Sequence, residues 1–299
     1  MAVIDVQHLQ KRYGGREVVR DVTFAVEPGE IFGIIGPNGA GKTTTVECVE
    51  GLRAADGGAV RVLGREPGDP ELRQLLGVQL QESQLPDRIR VREAMELFAS
   101  FYERPAPTAP LLERLGLGEH REQQYKKLSG GQKQRLSIAL SLVGSPEVAV
   151  LDELTTGLDP QARRETWKLI EDIRADGVTI LLVTHFMDEA ERLCDRIAVI
   201  DGGRTVAVDS PAGLIRQVAA GVTVTFRPSA PLAPADLAGV PGVDAITVGD
   251  DGIWDVTGRG NLAHEVTRAL AAHDVVPQSL NIVQADLESA FVALTGKES

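Results

Sequence analysis

The chain has 299 residues, enough for about two domains of roughly 150 residues each, so neither a disordered chain nor a disulfide-stapled mini-protein fits. Asp and Glu number 43 against 31 Lys and Arg, and the formal charge of −12 speaks against a broad nucleic-acid or anionic-lipid footprint. Aromatics are only 4% of residues and the two cysteines, Cys48 and Cys194, are too few for a disulfide framework or a four-cysteine zinc site, so the expected core is Leu, Val, Ile and Ala in a reducing compartment.

No apolar run approaches the ~20 residues of a membrane span, and the first ten residues, with Asp5 and His8, lack the apolar stretch of a signal peptide. Val22, Phe24 and Val26 alternate as a half-exposed strand. Pro28-Gly29 then turns into Ile31–Ile35, an unbroken apolar run of the kind found in central parallel strands. The glycine-rich segment 36–41 interrupts it, a helix resumes over 43–49, and short strands are predicted over 59–63 and 76–80. Met95, Phe98, Phe101 and Tyr102, then Leu112 and Leu115, recur at helical spacing on either side of the proline-rich segment 105–110, which makes the middle section helical. Ser129 caps a helix reaching about Val143, and Val148–Leu151 reads as another buried strand. Asp159, Pro160 and Gly177 bracket the next helix as N-cap, first residue and stop. A strand over 179–184, a hairpin around Asp201-Gly202-Gly203 and a short helix from Ser210-Pro211 complete a first domain placed at 1–218. From 219 onward, four basic and ten acidic side chains accompany the order β (222–227), α (234–239), β (243–248), β (253–257), α (262–273), β (276–283). That is a split βαβ order, and it predicts a small α+β domain over 219–299.

Gly36-Pro37-Asn38-Gly39-Ala40-Gly41-Lys42-Thr43, followed by Thr44, fits G-x-x-x-x-G-K-S/T between a buried strand and a helix, the context in which backbone N–H groups close around a phosphate chain. Lys42 then offers a point charge to the β- and γ-phosphates, and the Thr43 hydroxyl offers a ligand to Mg²⁺. Asp152 and Glu153 arrive at the end of a buried strand, where adjacent carboxylates are costly unless a cation or water meets them. Asp152 suits the shell of a metal, and Glu153 suits a general base for an attacking water. Ser129-Gly130-Gly131-Gln132 leaves further N–H donors at a helix start, a pattern that alone is more often a plain N-cap than a second phosphate site.

Together, GPNGAGKTT (36–44), LSGGQ (128–132), VAVLDE (148–153), GLD (157–159) and Thr184-His185 resemble the ATP-binding cassette (ABC) ATPases in order and spacing over about 1–215. The resemblance implies an α/β P-loop NTPase fold of ABC-ATPase type, with a RecA-like core, an antiparallel β subdomain and a helical subdomain at about 82–145. It implies ATP and Mg²⁺ as ligands. It implies Tyr13 as the aromatic that stacks on adenine, Gln81 as the glutamine that senses Mg²⁺ and the membrane partner, with Gln79 as a competitor in register, and His185 as the switch histidine. Asp159 is counted with the nucleotide-binding residues on the same ground. Head-to-tail pairing is implied too, with Ser129 and Gly131 of one chain closing over the nucleotide held by Lys42 of a second copy or a sister chain. A separate membrane-spanning permease, contacted around 82–92, would hold the otherwise cytoplasmic subunit at the membrane.

Two positions depart from the family pattern. Leu154 stands where Pro is usual, and Gln79-Leu80 lacks the aromatic and Pro often found before the glutamine. The tail, ending Asp286-Leu287-Glu288-Ser289-Ala290-Phe291, is similar to the C-terminal extension of daunorubicin-resistance exporters, which implies export of a drug or another small hydrophobic molecule. Two other classes stay open. One is a soluble ABC-type ATPase working on ribosomes or nucleic acid, disfavoured by the acidity and by the lack of a second cassette, a long coiled coil or zinc cysteines. The other is a regulatory ATPase whose tail senses a ligand.

Overall fold

The computed structural model describes residues 1–79, 85–218 and 221–296, and the chain forms two compact units, Met1–Pro211 and a second that begins at Ala212. The first unit opens with an antiparallel layer in which β1 (Ile4–Tyr13) pairs with both β2 (Arg16–Val26) and β4 (Gly57–Val62). The sequence pattern does not announce β1. Ile4 and Val6 alternate inward, and an irregularity at His8, whose φ is 50°, then shifts the register so that Leu9 is buried and the alternation breaks.

Next comes β3 (Ile31–Ile35), buried at all five positions and flanked in parallel by β7 (Thr179–Val183) and β8 (Arg196–Asp201). A strand apolar on both faces has to be covered on both faces, which is why these residues sit in the middle of the sheet. Beyond β7 lie β6 (Val148–Asp152) and β5 (Leu76–Gln79), also parallel. β9 (Arg204–Asp209) returns antiparallel to β8 and meets β2 at the single pair Asp21–Arg204, giving the order β4-β1-β2-β9-β8-β3-β7-β6-β5.

Helix α1 (Lys42–Val49) follows β3, and α2 (Val91–Ala99), α3 (Thr108–Arg114) and α4 (Gly130–Leu142) pack on one another between β5 and β6 in the chain. α5 (Pro160–Ala175) and α6 (Met187–Leu193) flank β7 in sequence. α2 is shorter than the spacing of Met95, Phe98, Phe101 and Tyr102 suggests. Ser100 donates its hydroxyl to the Leu97 carbonyl at 2.6 Å, the helix ends at Ala99, and Phe101 is left 62% exposed.

At the boundary between the units α7 (Pro211–Val218) begins, so most of it goes with the second. The second unit continues with β10 (Val222–Pro228), α8 (Pro234–Ala238), β11 (Val243–Val248), β12 (Trp254–Gly258), α9 (Leu262–Ala272), β13 (Pro277–Gln284) and α10 (Leu287–Thr295). The sheet order is β11-β12-β10-β13 with every neighbouring pair antiparallel. β10 and β11, on either side of α8, therefore run parallel with β12 inserted between them, the split βαβ arrangement. Its core sets Phe226, Trp254 and Val256 against Leu262, Val266 and Leu270 of α9 and Leu237 of α8.

The antiparallel layer joins the main sheet through Gly203. Its carbonyl accepts the N–H groups of Arg20 at 2.8 Å and Asp21 at 3.0 Å, and its own N–H donates to the Ala40 carbonyl at 3.0 Å. Its φ is +77°, and a Cβ there would lie 2.5 Å from the Val18 carbonyl oxygen, whereas Gly202, at φ +54°, faces open space. Gly203→Ala should therefore lower the unfolding free energy by ~2 kcal/mol or more and Gly202→Ala by only ~1 kcal/mol. Urea denaturation of the two variants checks this, and equal losses would place the strain elsewhere.

Candidate functional site

Asp152, Val183 and Ile34 stand in register across β6, β7 and β3. The residues that follow them, Glu153, Thr184-His185 and the loop 36–41, therefore emerge at one edge of the sheet. It is the carboxyl edge of the parallel strands, where open α/β sheets place their ligands. Gly36 admits no side chain, because a Cβ would lie 2.1 Å from the Ile200 carbonyl oxygen, and Gly39 and Gly41 take φ values of +77° and +100°. Ala40 is buried and its N–H donates to the Pro37 carbonyl at 3.1 Å, while Asn38 and Thr43 are exposed and Thr44 is half-buried. Lys42 is 7% exposed. Its ammonium donates to the carbonyls of Gly36 at 2.7 Å and Pro37 at 3.2 Å, lying across its own loop.

The charges around that ammonium do not balance. Burial lowers the pKa of Lys42 while Glu153 and Asp152 oppose the shift. Asp152 is pushed up from 3.8 to about 6, first by burial and then by the charge of Glu153, with Lys42 pulling the other way. Glu50, at the C-terminal end of α1, is pushed up to about 8 by burial and then by Asp152 and Glu47. Nothing in the sequence singles Glu50 out, since only the fold sets it beside Asp152.

Glu153 has φ +49°, a left-handed conformation that costs a non-glycine residue about 1–3 kcal/mol. Two anchors hold it there: its N–H donates to the Val183 carbonyl at 2.9 Å, and the next side chain, Leu154, is fully buried. Leu154, the departure from the family's proline, is thus a core anchor for this turn. Oε1 of Glu153 lies 3.4 Å from Nδ1 of His185, whose ring packs 4.1 Å from that of Phe186.

Among the described residues no group of three or more His, Cys, Asp or Glu is placed to hold a metal ion. One under-compensated carboxylate, Asp152, and the exposed hydroxyl of Thr43 suit instead an ion such as Mg²⁺, which keeps its waters and takes phosphate oxygens. Gln81 lies outside the described residues. Gln79, its competitor, ends β5, is buried, and accepts the Asp152 N–H on Oε1 at 3.0 Å. Tyr13 ends β1, 38% exposed, with the Lys11 ammonium and the Arg53 guanidinium each 5.7 Å from its ring centroid. A pocket of about 570 Å³ adjoins Gly39, lined by Arg12, Arg16, Glu17 and Arg20 with Tyr13 outside its lining.

Ser129, Gly130, Gly131 and Gln132 open α4 in a different place. With Asp159 they line a depression of about 450 Å³ that includes no residue of the loop 36–43. Ser129 Oγ accepts the Gln132 N–H at 3.3 Å, and Asp159 Oδ1 accepts the N–H groups of Gln161 and Ala162, each at 2.9 Å.

A glycine-rich cradle with a buried lysine, an Asp-Glu pair two strands away and a histidine facing the glutamate define a P-loop nucleotide hydrolase. Residues 19–156 match the ABC transporter family. The chain is 38% identical to Nod factor export ATP-binding protein I of Burkholderia pseudomallei, over 100% of this chain and 98% of that one. It is 44% identical to the protein of the same name from Burkholderia orbicola, over 73% and 74% of the two chains, and 35% identical to that of Rhizobium etli, over 100% and 95%. Among solved structures, the ATP-binding subunit of an ABC transporter matches with a TM-score of 0.65 at 30% identity, covering 72% of this chain and 92% of that one. CbiO1 from Clostridium perfringens, part of the ABC transporter complex cbiONQ, matches with a TM-score of 0.65 at 27% identity, covering 72% and 94%. The chain belongs to the ATP-binding proteins of the ABC transporter family, and it is an ATPase.

Because the folded-state pKa of Asp152, about 6, lies above its ordinary 3.8, this carboxyl favours the fold while protonated, and that advantage is lost as pH rises through about 6. Asp152→Asn removes the effect. The nucleotide-free variant should exceed the wild type in stability by on the order of 2 kcal/mol at about pH 7.5 and match it near pH 4. Denaturation at the two pH values measures the gap, and a gap that does not change with pH would assign the imbalance to another group.

Proposed function

We propose that this chain is the ATP-hydrolysing subunit of an ABC exporter, working as a head-to-tail dimer beneath a separate membrane permease. The observation that carries the reading is the division of phosphate-binding features between two places. Lys42, Asp152, Glu153 and His185 gather at one sheet edge, while Ser129–Gln132 open a depression that holds none of them. One chain thus carries two incomplete halves. In an isologous pair each Lys42 half would meet the partner's Ser129 half.

In the proposed reaction the loop 36–43 wraps the phosphate chain, and Lys42 leaves its own carbonyls to meet the β- and γ-phosphates. Mg²⁺, held by the Thr43 hydroxyl, Asp152 and phosphate oxygens, would neutralise charge on the β- and γ-phosphates. Glu153 orients a water and takes its proton as the water attacks the γ-phosphorus in line with the departing ADP. His185, beside Glu153, faces the γ-phosphate from the next strand. Gln81 would report occupancy to the permease, and Tyr13 would supply a face for adenine.

Export, and not merely transport, is supported by the relatives that match along the whole chain, tail included, each named for export of Nod factor. The exported cargo proposed here is a small hydrophobic or amphipathic molecule, drug-like compounds included. No helix among the described residues is long and apolar enough to cross a membrane, so the path across it belongs to the permease. The second unit is proposed as an accessory or regulatory module.

Three substitutions test the reading. Lys42→Ala should abolish ATP hydrolysis, because the loop holds no other cation. Glu153→Gln keeps size and most hydrogen bonds but cannot take a proton, so the variant should bind ATP without turnover and be monomeric without nucleotide and dimeric with it in light scattering. Adding Ser129→Arg should abolish that dimer. ATP-dependent dimerisation of the double variant would overturn the head-to-tail pairing, and wild-type turnover in Lys42→Ala would overturn the phosphate site.

A further inference from the structure

The first turn of α4 is tied down by a run of hydrogen bonds that starts and ends on backbone. Ser129 N–H donates to Oε1 of Gln132 at 2.9 Å, and Nε2 of Gln132 lies 2.9 Å from Nε2 of His120. On the far side of the imidazole, Nδ1 of His120 lies 3.0 Å from Oε1 of Gln123, whose Nε2 donates to the Lys127 carbonyl at 2.6 Å. Both amides are therefore oriented by the main chain. A backbone N–H requires an amide oxygen opposite it, and a backbone carbonyl requires an amide NH₂. The imidazole then stands between a donor on its Nε2 side and an acceptor on its Nδ1 side. Only one form satisfies both: neutral, with the proton on Nδ1. The other tautomer sets N–H against NH₂ and a lone pair against an oxygen, and the imidazolium sets N–H against NH₂.

We propose that His120 is a positioning residue for the signature segment. As the Nδ1–H tautomer, braced through Gln123 on the Lys127 carbonyl, it fixes the Gln132 amide that satisfies the Ser129 N–H. Ser129 Oγ, already accepting the Gln132 N–H, keeps its own proton for an oxygen of a phosphate chain that a second copy presents. His120 lies within the same depression as Ser129–Gln132, on the short turn Gly118–His120, so the brace comes from outside the helix it steadies. Without the brace the Gln132 amide can turn, and the Ser129 N–H then competes for the anion in a different geometry. The inference rests on the reading of this segment as the half that closes over the partner's nucleotide.

The test uses the full chain carrying Glu153→Gln and records by light scattering the ATP concentration at half-dimerisation, with binding of a fluorescent ATP analogue to the monomer measured in parallel. His120→Ala should raise the half-dimerisation concentration about tenfold, the size of one lost hydrogen bond, while leaving monomer binding within about twofold. His120→Gln, which can present an oxygen to Nε2 of Gln132, should restore the starting value within about twofold, and His120→Lys, which carries only donors, should not. Equal behaviour of the Ala, Gln and Lys variants would overturn the positioning role. Absence of ATP-dependent dimer with His120 intact would instead overturn the head-to-tail reading. A separate measurement needs no variant to dimerise: long-range proton–nitrogen spectra of the ¹⁵N-histidine-labelled chain, with the His120 signal identified by its loss in His120→Ala or, should that variant not fold, in His120→Gln. They should show the neutral Nδ1–H tautomer, and a proton on Nε2 would overturn the proposal outright.

Discussion

The constraint on which this molecule turns is that a buried ammonium and two carboxylates share one sheet edge with little water. Lys42 cannot be solvated and answers by donating to the carbonyls of Gly36 and Pro37. Asp152 cannot be solvated either, and its pKa rises to about 6. Neither adjustment removes the cost, since carbonyl dipoles only partly replace water around an ammonium and a carboxyl with a raised pKa is still a desolvated one. In the proposed reaction the edge would meet something that is not protein: a polyanion for the ammonium and a divalent cation for the carboxylate. Phosphate and metal, arriving together, would meet both demands with charges the chain does not have to carry when empty.

That constraint also explains where the backbone is strained. Glu153 sits in left-handed conformation between two anchors, the Val183 carbonyl and the buried Leu154 side chain. Strain of this size persists only where surrounding structure over-determines it, and here the surroundings are the parallel strands themselves. The carboxylate of Glu153 and the ring of His185 are consequently fixed relative to β6 and β7, the strands from which they depart. A turn relaxed to ordinary dihedrals would direct Glu153 elsewhere and separate the two.

Much of this was legible in the sequence, for identifiable reasons. β3 and β7 declare themselves because both faces are apolar. The glycines of the loop 36–41 declare themselves because left-handed backbone and absent Cβ atoms leave a compositional mark. In the second unit, short strands alternate with helices whose buried residues fall three to four apart, such as Leu262, Val266 and Leu270, so the order from β10 to β13 could be read nearly to the residue, while the closing helix α10 was not read. What stayed hidden depends on events that leave no periodic trace. The irregularity at His8 breaks the alternation of β1, the Ser100 hydroxyl ends α2 before its aromatic run does, and the rise in Glu50 comes first from its burial in the fold and then from Asp152, a carboxylate distant in sequence. Gln132 is visible in the sequence as part of LSGGQ, but its bond to His120 depends on a turn that only the fold brings within reach.

In the proposed pairing the two halves have complementary deficits. The half at Lys42 has cationic and acidic groups, and the half at Ser129 has a hydroxyl and N–H donors, while Arg135, the arginine lining its depression, is already paired with Glu165. Neither alone surrounds a triphosphate, so in the proposed pairing the free energy of enclosing one appears only when two chains meet, and it belongs to the dimer by mass action. Cleaving the γ-phosphate divides the ligand that joins the halves. In that pairing the chemistry at Glu153 would act on the association of the two chains through the ligand alone, with no need for a path of side chains running between Lys42 and Ser129 in one molecule.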